Sequence, residues 1–555
     1  MTLKHIFFIA LLTFALIAFF AFRGSNTNRQ AQAPIPDLPA DLGKVSTADM
    51  DRLMNATVPT NTTSRELLAS ISEKLRQRIE RANARPREAV LSFKNAEALR
   101  AFLARAESSG LHVLDRIDAF NTVRVQYDST QHLARELIEN SADYAQVAAN
   151  FYINNPDSAT PPQAQARAAR NQTPVGNQLL SVLGVAGGNA NWGNGVTIAI
   201  LDSGVAADPT FGLGRLKTID IGLGTAPAAG TEGGHGTAVA SLAAGQSADA
   251  QGVAPAASLL SIRVADNDGK SDSFTVARAI LAAVDAGAKI VNVSLGGYGT
   301  NFALDYAIDY ATTRGVVLVA AAGNDQAAQL TWPAADPRVI SVGAVDANGQ
   351  QVIFSNSGEQ LKITAPGLAL QAAWSDGTRV NFSGTSGSAP VVSGSIAALM
   401  SQNPELTAPQ AWQILQSHAN EAGRPGADAD YGSGVLNLGW SIARNDPTRV
   451  DTAVASHYYN ATNEQLQIVL QNRSASAVAG MDLNIEINGA LQHYPVSWLA
   501  AGSTTIVNLP ISANQLAAAG QIEFRTELVN PTGTTDAEPA NNRRYSALSA
   551  PGRSR

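Results

Sequence analysis

The 555-residue chain contains no cysteine, and only 15% of its residues are charged. The lack of cysteine excludes thiol catalysis, disulfides and zinc–thiolate sites. Hydrophobic residues make up 45% of the chain, which excludes a largely disordered protein. The net charge of −7 disfavours nucleic acid, and we expect no nucleic-acid partner. A chain of this length exceeds one core, so roughly two to four domains are expected.

Residues 1–23 contain an apolar run from Ile6 to Phe22, seventeen residues long, that ends at Arg23. A run of this length is typical of an export signal and lies at the lower limit for crossing a membrane. We therefore expect a signal peptide or a membrane anchor, and a secreted or cell-envelope location, either extracellular or periplasmic. Residues 24–86 are expected to form a linker followed by an amphipathic helix.

Residues 87–155 show the element order β-α-β-β-α-β, which predicts a small α+β domain of the ferredoxin-like type. This domain contains no catalytic constellation, and on its own a small binding domain is the default interpretation. Residues 156–178 form a linker rich in Pro, Gln, Ala and Arg. Such polar stretches are where proteolysis concentrates.

Residues 179–445 alternate apolar strands with helices, which predicts an α/β domain with a mostly parallel, doubly wound sheet. In an open sheet of this kind, active groups lie at the carboxyl ends of the strands. The predicted strands are Val196–Leu201, Leu259–Val264, Ile290–Leu295, Val316–Ala321 and Val339–Val345.

Three residues of this region are candidates for nucleophilic catalysis. Asp202 directly follows the first strand, and the alternative for this residue taken alone is an Asp that caps a helix or a turn. His235 lies among glycines just before an apolar helix, whereas His418 is expected to complement the end of another helix. Ser386 lies among small residues, and we expect its hydroxyl at a helix N-terminus, with Pro390 in the first turn. A Ser/Thr-rich loop with an N-cap is the alternative.

Asn324 closes another strand, within the sequence Ala-Ala-Ala-Gly-Asn-Asp. Its amide could donate a hydrogen bond to a developing oxyanion. The alternative is an ordinary Gly-Asn turn. The four polar residues therefore follow one another along a single predicted α/β domain, each with a structural as well as a catalytic interpretation.

Residues 179–445 resemble the subtilisin-like serine peptidases. The segments that carry the resemblance are Ile200–Gly204, Gly234–Thr237, Ala321–Asn324 and Gly384–Ser386. The resemblance implies Ser386 as nucleophile, His235 as general base and Asp202 as the group that orients it. It also implies that the Asn324 amide stabilises the oxyanion.

The resemblance further implies a pocket for the substrate side chain before the cut bond. The expected wall residues are Ser294, Leu295, Gly296, Ala322 and Gly323. Thr331 would lie near the base of this pocket and narrow it, which predicts medium apolar side chains rather than large aromatic ones. No metal site or cofactor is expected for the chemistry, and a structural calcium ion is left open without ligands.

Residues 87–155 resemble the propeptides that many members of this family carry, which assist folding and inhibit the enzyme. We expect the segment ending in Ala148–Ile153 to enter the active site before self-cleavage in the following linker. Residues 448–547 predict an Ig-like β-sandwich, loosely similar to adhesion modules of the CARDB type. Its predicted strands are Asp451–Tyr458, Gln465–Gln471, Met481–Asn488, Ser503–Leu509 and Gln521–Leu528.

The leading hypothesis is a secreted serine endopeptidase that acts on polypeptides, is made as a self-processed precursor and is inhibited by its own propeptide. A catalytically silent relative that acts as a surface binding protein is the alternative. A third hypothesis makes adhesion through the C-terminal sandwich the main function.

Overall fold

The structure is a computed structural model that describes residues 64–81, 83–155, 172–230 and 232–549. The predicted export segment and most of the 156–178 linker lie outside the described residues. The chain divides into two compact units, of which the first is Met1–Phe151 with Asn301–Ala303. In the part of the chain that is described, no helix combines the length and hydropathy needed to cross a membrane.

The first unit is built on an antiparallel sheet with the order β2-β3-β1-β4. Asn95 and Ser129 start its second and third helices, because each side chain accepts a hydrogen bond from a free backbone N–H of the first turn. Phe93, Phe102 and Tyr144 pack together inside it, with ring centroids 4.9–6.2 Å apart. The elements are α1 (Ser64–Ile79), β1 (Ala84–Phe93), α2 (Ala96–Arg105), β2 (Leu111–Ile117), β3 (Thr122–Tyr127), α3 (Thr130–Glu139) and β4 (Tyr144–Asn154).

The second unit begins at Tyr152 and contains a seven-stranded parallel sheet with the order β12-β11-β10-β9-β5-β7-β6. This confirms the predicted α/β domain with a mostly parallel sheet. Its first half contains α4 (Leu179–Val182), β5 (Thr197–Asp202), β6 (Leu216–Ile219), α5 (His235–Ala244), β7 (Ser258–Arg263), β8 (Lys270–Asp272), α6 (Ser273–Asp285) and β9 (Ile290–Val293). Its second half contains α7 (Phe302–Thr312), β10 (Val317–Ala321), β11 (Ile340–Val345), β12 (Ile363–Pro366), β13 (Leu370–Ala373), β14 (Arg379–Phe382), α8 (Thr385–Gln402), α9 (Ala408–Ser417) and α10 (Leu438–Ala443).

The central strand β5 shows why the apolar runs do not alternate. Residues 198–202 of this strand are all buried, as expected when helices cover both faces of a sheet. The long helix α8 is buried from Thr385 to Leu399, and its many Ala, Gly and Ser residues allow close packing. The carboxyl end of β5 and the N-terminal ends of α5 and α8 carry the candidate catalytic residues.

Residues 452–549 form two antiparallel sheets, β15-β16-β19 and β18-β17-β20-β21. Leu466 and Ile468 of the first sheet and Leu483, Ile485 and Phe524 of the second belong to one buried core. The elements are β15 (Thr452–Asn460), β16 (Gln465–Asn472), β17 (Val478–Ile487), β18 (Ala490–Leu499), β19 (Thr504–Pro510), α11 (Ala513–Ala519), β20 (Gln521–Val529) and β21 (Arg543–Ser549).

Candidate active site

Asp202 and His235 are paired in the structure. Asp202 is the last residue of β5 and His235 is the first residue of α5, rather than preceding the helix as the sequence suggested. His235 Nδ1 lies 2.8 Å from Asp202 Oδ1, and the same oxygen accepts the Ser203 N–H at 2.7 Å. Gly236 lets the start of α5 lie close to the chain that follows β5, because a Cβ at residue 236 would lie only 2.4 Å from the Gly204 carbonyl oxygen. Both side chains are buried, with Asp202 0% and His235 3% exposed.

The surroundings of His235 favour its protonated form. Burial alone would lower the pKa of the imidazole, but the Asp202 carboxylate raises it through its charge and its hydrogen bond. The charge of Glu232 adds to this effect, so the net pKa of His235 lies above its ordinary value. The imidazolium form of His235 is therefore stabilised relative to the neutral ring.

Ser386 is the second residue of α8, so the expectation of a serine at a helix N-terminus matches the structure. Gly384 precedes the helix with φ 143°, a conformation that side chains rarely adopt. The Ser386 hydroxyl donates to the Ser294 carbonyl oxygen at 3.0 Å. Among the described residues, no hydrogen bond joins this hydroxyl to His235.

The expectation for Pro390 was wrong, because this proline lies inside α8 rather than in its first turn. Proline has no N–H, and it therefore leaves the carbonyl four residues earlier, that of Ser386, without its helical partner. Ser294 supplies the missing donor, since its Oγ lies 3.0 Å from the Ser386 carbonyl oxygen. Ser294 and Ser386 are thus joined by two reciprocal hydrogen bonds.

Asn324 is held against the start of α8. Its Oδ1 accepts two hydrogen bonds from Thr385, one from the backbone N–H and one from the hydroxyl, both 2.9 Å long. Its Nδ2 lies 3.0 Å from the position that a Cβ on Gly384 would take. A side chain at Gly384 would therefore crowd the amide donor. The carboxamide has its acceptor fixed and its donor facing the turn before Ser386.

The predicted wall residues are drawn together around Thr331. Gly296 and Gly323 flank this side chain. A Cβ on Gly296 would lie 2.3 Å from it, and a Cβ on Gly323 would lie 2.9 Å from it. The Thr331 hydroxyl donates to the Ala321 and Ala322 carbonyl oxygens, each at 3.3 Å. Ser294 and Leu295, which complete the predicted set, are also buried.

Residues 152–155 run along the segments that contain Gly269 and Gly296. Tyr152–Asn154 pair with β8 in antiparallel register. Asn154 exchanges two backbone hydrogen bonds with Gly296, of 3.0 and 2.9 Å, and the Asn155 N–H donates to the Gly269 carbonyl oxygen at 2.9 Å. This part of the chain is therefore bound as an extended strand between two others.

The hairpin β13–β14 also belongs to the site, although its residues were not among the candidates predicted from the sequence. Phe382 packs edge-on against the His235 ring with centroids 5.2 Å apart, and Trp374 covers Gly234, where a Cβ would overlap the indole. Asn356 is a second residue that was not predicted, and its Oδ1 accepts the N–H groups of Asp325 and Ala327, which follow Asn324 in the chain. Phe382 and Trp374 could have been noticed in the sequence, because they are large aromatic residues in a domain rich in alanine.

No ligand set for a structural calcium ion can be assigned. Across the described ranges, no group of three or more His, Asp or Glu side chains is arranged to hold a metal ion. Asp208 and Asp249, two carboxylates near one another, are bridged by Arg379, which lies 3.0 Å and 3.2 Å from them. A guanidinium thus already bridges this pair and offsets part of its negative charge.

The site geometry and the fold define a serine hydrolase of the α/β class, and the comparisons specify it. The profile of the Subtilase family (Peptidase S8) matches residues 193–434. The Thermostable alkaline protease of Halalkalibacterium halodurans is 34% identical over 250 residues, which cover 45% of this chain and 68% of that protein. Subtilisin BL of Lederbergia lenta is 33% identical over 247 residues, covering 44% of this chain and 90% of that protein.

One solved structure shows the shared fold at lower identity. The Epidermin Leader Peptide Processing Serine Protease of Staphylococcus aureus is 19% identical, covers 64% of this chain and 97% of its own, and has a TM-score of 0.51. The chain belongs to the subtilase family. It is a subtilisin-like serine endopeptidase.

Proposed function

We propose that this endopeptidase hydrolyses polypeptides through an acyl-enzyme formed on Ser386, with His235 as general base and Asp202 as its orienting partner. The observation that carries the proposal is the 2.8 Å pairing of two buried groups, Asp202 and His235, at the sheet edge. Phe382 links this pair to the serine, because it touches the His235 ring and lies 3.3 Å from the Cβ position of Gly387.

In the first half of the proposed reaction, Ser386 Oγ adds to the scissile carbonyl carbon while its proton moves to His235 Nε2. Asp202 holds the other ring nitrogen and stabilises the imidazolium. The oxyanion receives hydrogen bonds from Asn324 Nδ2 and the Ser386 backbone N–H. The imidazolium then protonates the leaving amine as the peptide C–N bond breaks, and a water molecule releases the acyl group by the same steps in reverse.

A fluorophosphonate probe tests this assignment directly. It should attach to Ser386 in the matured wild-type protein and fail to attach in a Ser386→Ala variant, with hydrolysis of a peptide substrate lost in parallel. An unlabelled Ser386 in correctly folded wild-type protein would instead support the silent, surface-binding alternative. The proposed chemistry needs no cofactor, so a chelator should leave the initial rate of hydrolysis unchanged.

We propose that the protein is made as a precursor and cleaves itself after residues 152–155. The strand pairing of Asn154 with Gly296 supports this, because it holds the chain in the extended form that a protease cleaves. Residues 87–155 would then act as an intramolecular inhibitor until cleavage. The test is the N-terminal sequence of purified protein: a Ser386→Ala variant should stay uncleaved. Maturation of that variant at the wild-type rate, without other proteases, would refute self-processing.

We propose that Thr331 limits the side chain accepted before the cut bond. The Thr331 side chain lies between Gly296 and Gly323, with its hydroxyl towards Gly296 and its methyl group towards Gly323, so large aromatic rings should fit poorly. Thr331→Gly should increase kcat/KM for substrates with Phe or Tyr at this position relative to Leu. Strong cleavage after Phe or Tyr by the wild type would contradict the proposal.

We further propose export of the protein through its N-terminal segment, with a role for residues 448–547 in binding a substrate or a surface. Fractionation of cells that express the full chain, with N-terminal sequencing, tests export and reports whether the segment is removed. Deletion of 448–555, assayed on a small peptide and on a large protein, separates binding from catalysis. Equal losses on both substrates would point to stabilisation alone.

A further inference from the structure

Glu232 lies beside Gly269, which is in the segment along which residues 152–155 run as an extended strand. The point where a side chain on Gly269 would begin lies 3.1 Å from Glu232 Cγ and 3.4 Å from Asn155 Cβ. The side chains of Glu232 and Asn155 therefore occupy the same small region. In the described part of the chain, the Glu232 carboxylate has no hydrogen-bond or ion-pair partner.

The strand register indicates which residue of a docked substrate lies beside Glu232 and Gly269. The antiparallel bridge pairs Asn154 with Gly296, so a residue two further along a docked chain falls opposite Ser294. The Ser294 carbonyl accepts the Ser386 hydroxyl, and a residue at that point would present its own carbonyl to the nucleophile. Position 155 is therefore the residue immediately before the one that is attacked.

Asn155 is poorly matched to the place it occupies. It is 8% exposed, and both polar atoms of its side chain are buried without a hydrogen-bond partner. An unsatisfied buried amide is unfavourable, and a longer cationic side chain could instead reach the carboxylate nearby. The adjoining loop carries the exposed Asp268 as well as the exposed Lys270.

We infer that Glu232 is a specificity residue that selects a lysine or arginine at the substrate position immediately before the residue whose carbonyl is attacked. The inference rests on the proposed function, because it deepens the assignment of the same cleft. In the precursor, Asn155 occupies this position without forming the favoured ion pair. A chain with a basic residue there should displace this segment more readily than a chain with alanine.

The first test uses peptides that differ only at this position, carrying Lys, Ala or Glu. The wild type should prefer Lys to Glu in kcat/KM, and Glu232→Gln should reduce that preference about tenfold, as expected for a charge-assisted hydrogen bond. Glu232→Lys should invert it. Glu405→Gln, which removes an exposed carboxylate between α8 and α9, is the matched control and should leave the preference unchanged. An unchanged preference in Glu232→Gln, with the Ala peptide still hydrolysed, refutes this inference alone.

The second test does not depend on catalysis. In the full chain with Ser386→Ala, Asn155→Lys and Asn155→Glu are compared with either Glu or Gln at position 232, and the thermal midpoint is measured for all four proteins. When Glu232 is present, the Asn155→Lys protein should have a higher thermal midpoint than the Asn155→Glu protein. This difference should shrink when Glu232 is replaced by Gln. The same difference in both backgrounds overturns the inference. Loss of all hydrolysis by the wild type would refute the proposed function, with this comparison still decisive for Glu232.

Discussion

Replacing Ser294 by alanine is the sharpest test of how Ser386 is held in place. Ser294 Oγ donates to the Ser386 carbonyl oxygen at 3.0 Å and accepts the Asn292 Nδ2–H at 2.9 Å. The other end of Asn292 accepts the Ser393 hydroxyl of α8 at 2.9 Å. All four residues are almost fully buried, so water cannot replace the lost hydroxyl.

The expected loss of stability follows from the two groups that Ser294→Ala leaves without a partner, the Ser386 carbonyl oxygen and the Asn292 Nδ2–H. A buried donor or acceptor that loses its hydrogen bond costs about 1–3 kcal/mol. For a domain of this size, each kcal/mol lowers the thermal midpoint by about 2–4 °C. The measurement is best made in the Ser386→Ala full chain, which keeps the backbone carbonyl and cannot digest itself.

Pro390→Ala provides a matched partner for a double-mutant cycle. Alanine restores an N–H four residues after Ser386, and this N–H can donate to the same carbonyl oxygen. Ser294→Ala should therefore cost less in the Pro390→Ala background than in the parent protein. Equal costs in the two backgrounds, or a cost below about 0.5 kcal/mol in the parent, would refute the compensation between serine and proline.

Three further predictions concern pH and the oxyanion. Because Asp202 and Glu232 raise the pKa of His235, activity should begin to fall on acidification already above about pH 6.5. Glu232→Gln should shift this fall in activity to lower pH. A shift to higher pH in the rate–pH profile of that variant would contradict the prediction. Asn324→Ala should lower kcat by about 10²–10³ with a smaller change in KM, as measured by initial rates; an unchanged kcat would remove Asn324 from the oxyanion site. Burial raises the pKa of Glu421 from 4.5 to about 7, so its ionisation destabilises the folded state progressively as the pH rises between these values. Glu421→Gln should accordingly raise the thermal midpoint more at about pH 8 than at about pH 5, and equal shifts at both pH values would rule out this role.

The sequence was sufficient for the parts of the fold that depend on long apolar patterns. Strand β5 is a continuous run of buried residues that ends at a carboxylate, and both features are visible in the sequence. The same holds for α8, whose start is marked by Gly384 and small residues. Short elements were missed: β12 has four residues, and β13 and β14 form a small hairpin with little periodicity.

Edge strands of the C-terminal region were missed for a different reason. Strand β18 lies at the edge of its sheet, and most of its residues are exposed, so no alternation of apolar and polar residues appears. Pro495 within it also argues against a central strand, and prolines in strands are confined to such edges. The sequence signal is weak wherever a strand buries few side chains.

The contacts around Ser386 could not be predicted because they are carried by backbone groups. A pattern of residue types does not reveal that Pro390 frees the Ser386 carbonyl, nor that a serine from β9's exit loop donates to it. The same applies to Asn324, whose orientation depends on two donors of Thr385 rather than on its own neighbours in the chain.

The hairpin β13–β14 connects the helix that begins at His235 with the helix that carries Ser386. Its Ala373 N–H donates to the Ser241 hydroxyl of α5 at 3.0 Å, and Trp374 packs directly on Gly234. Phe382, at the other end, touches His235 and leads within four residues to Ser386. A single two-stranded element therefore contacts the helix that begins at His235 and continues into the helix that carries Ser386.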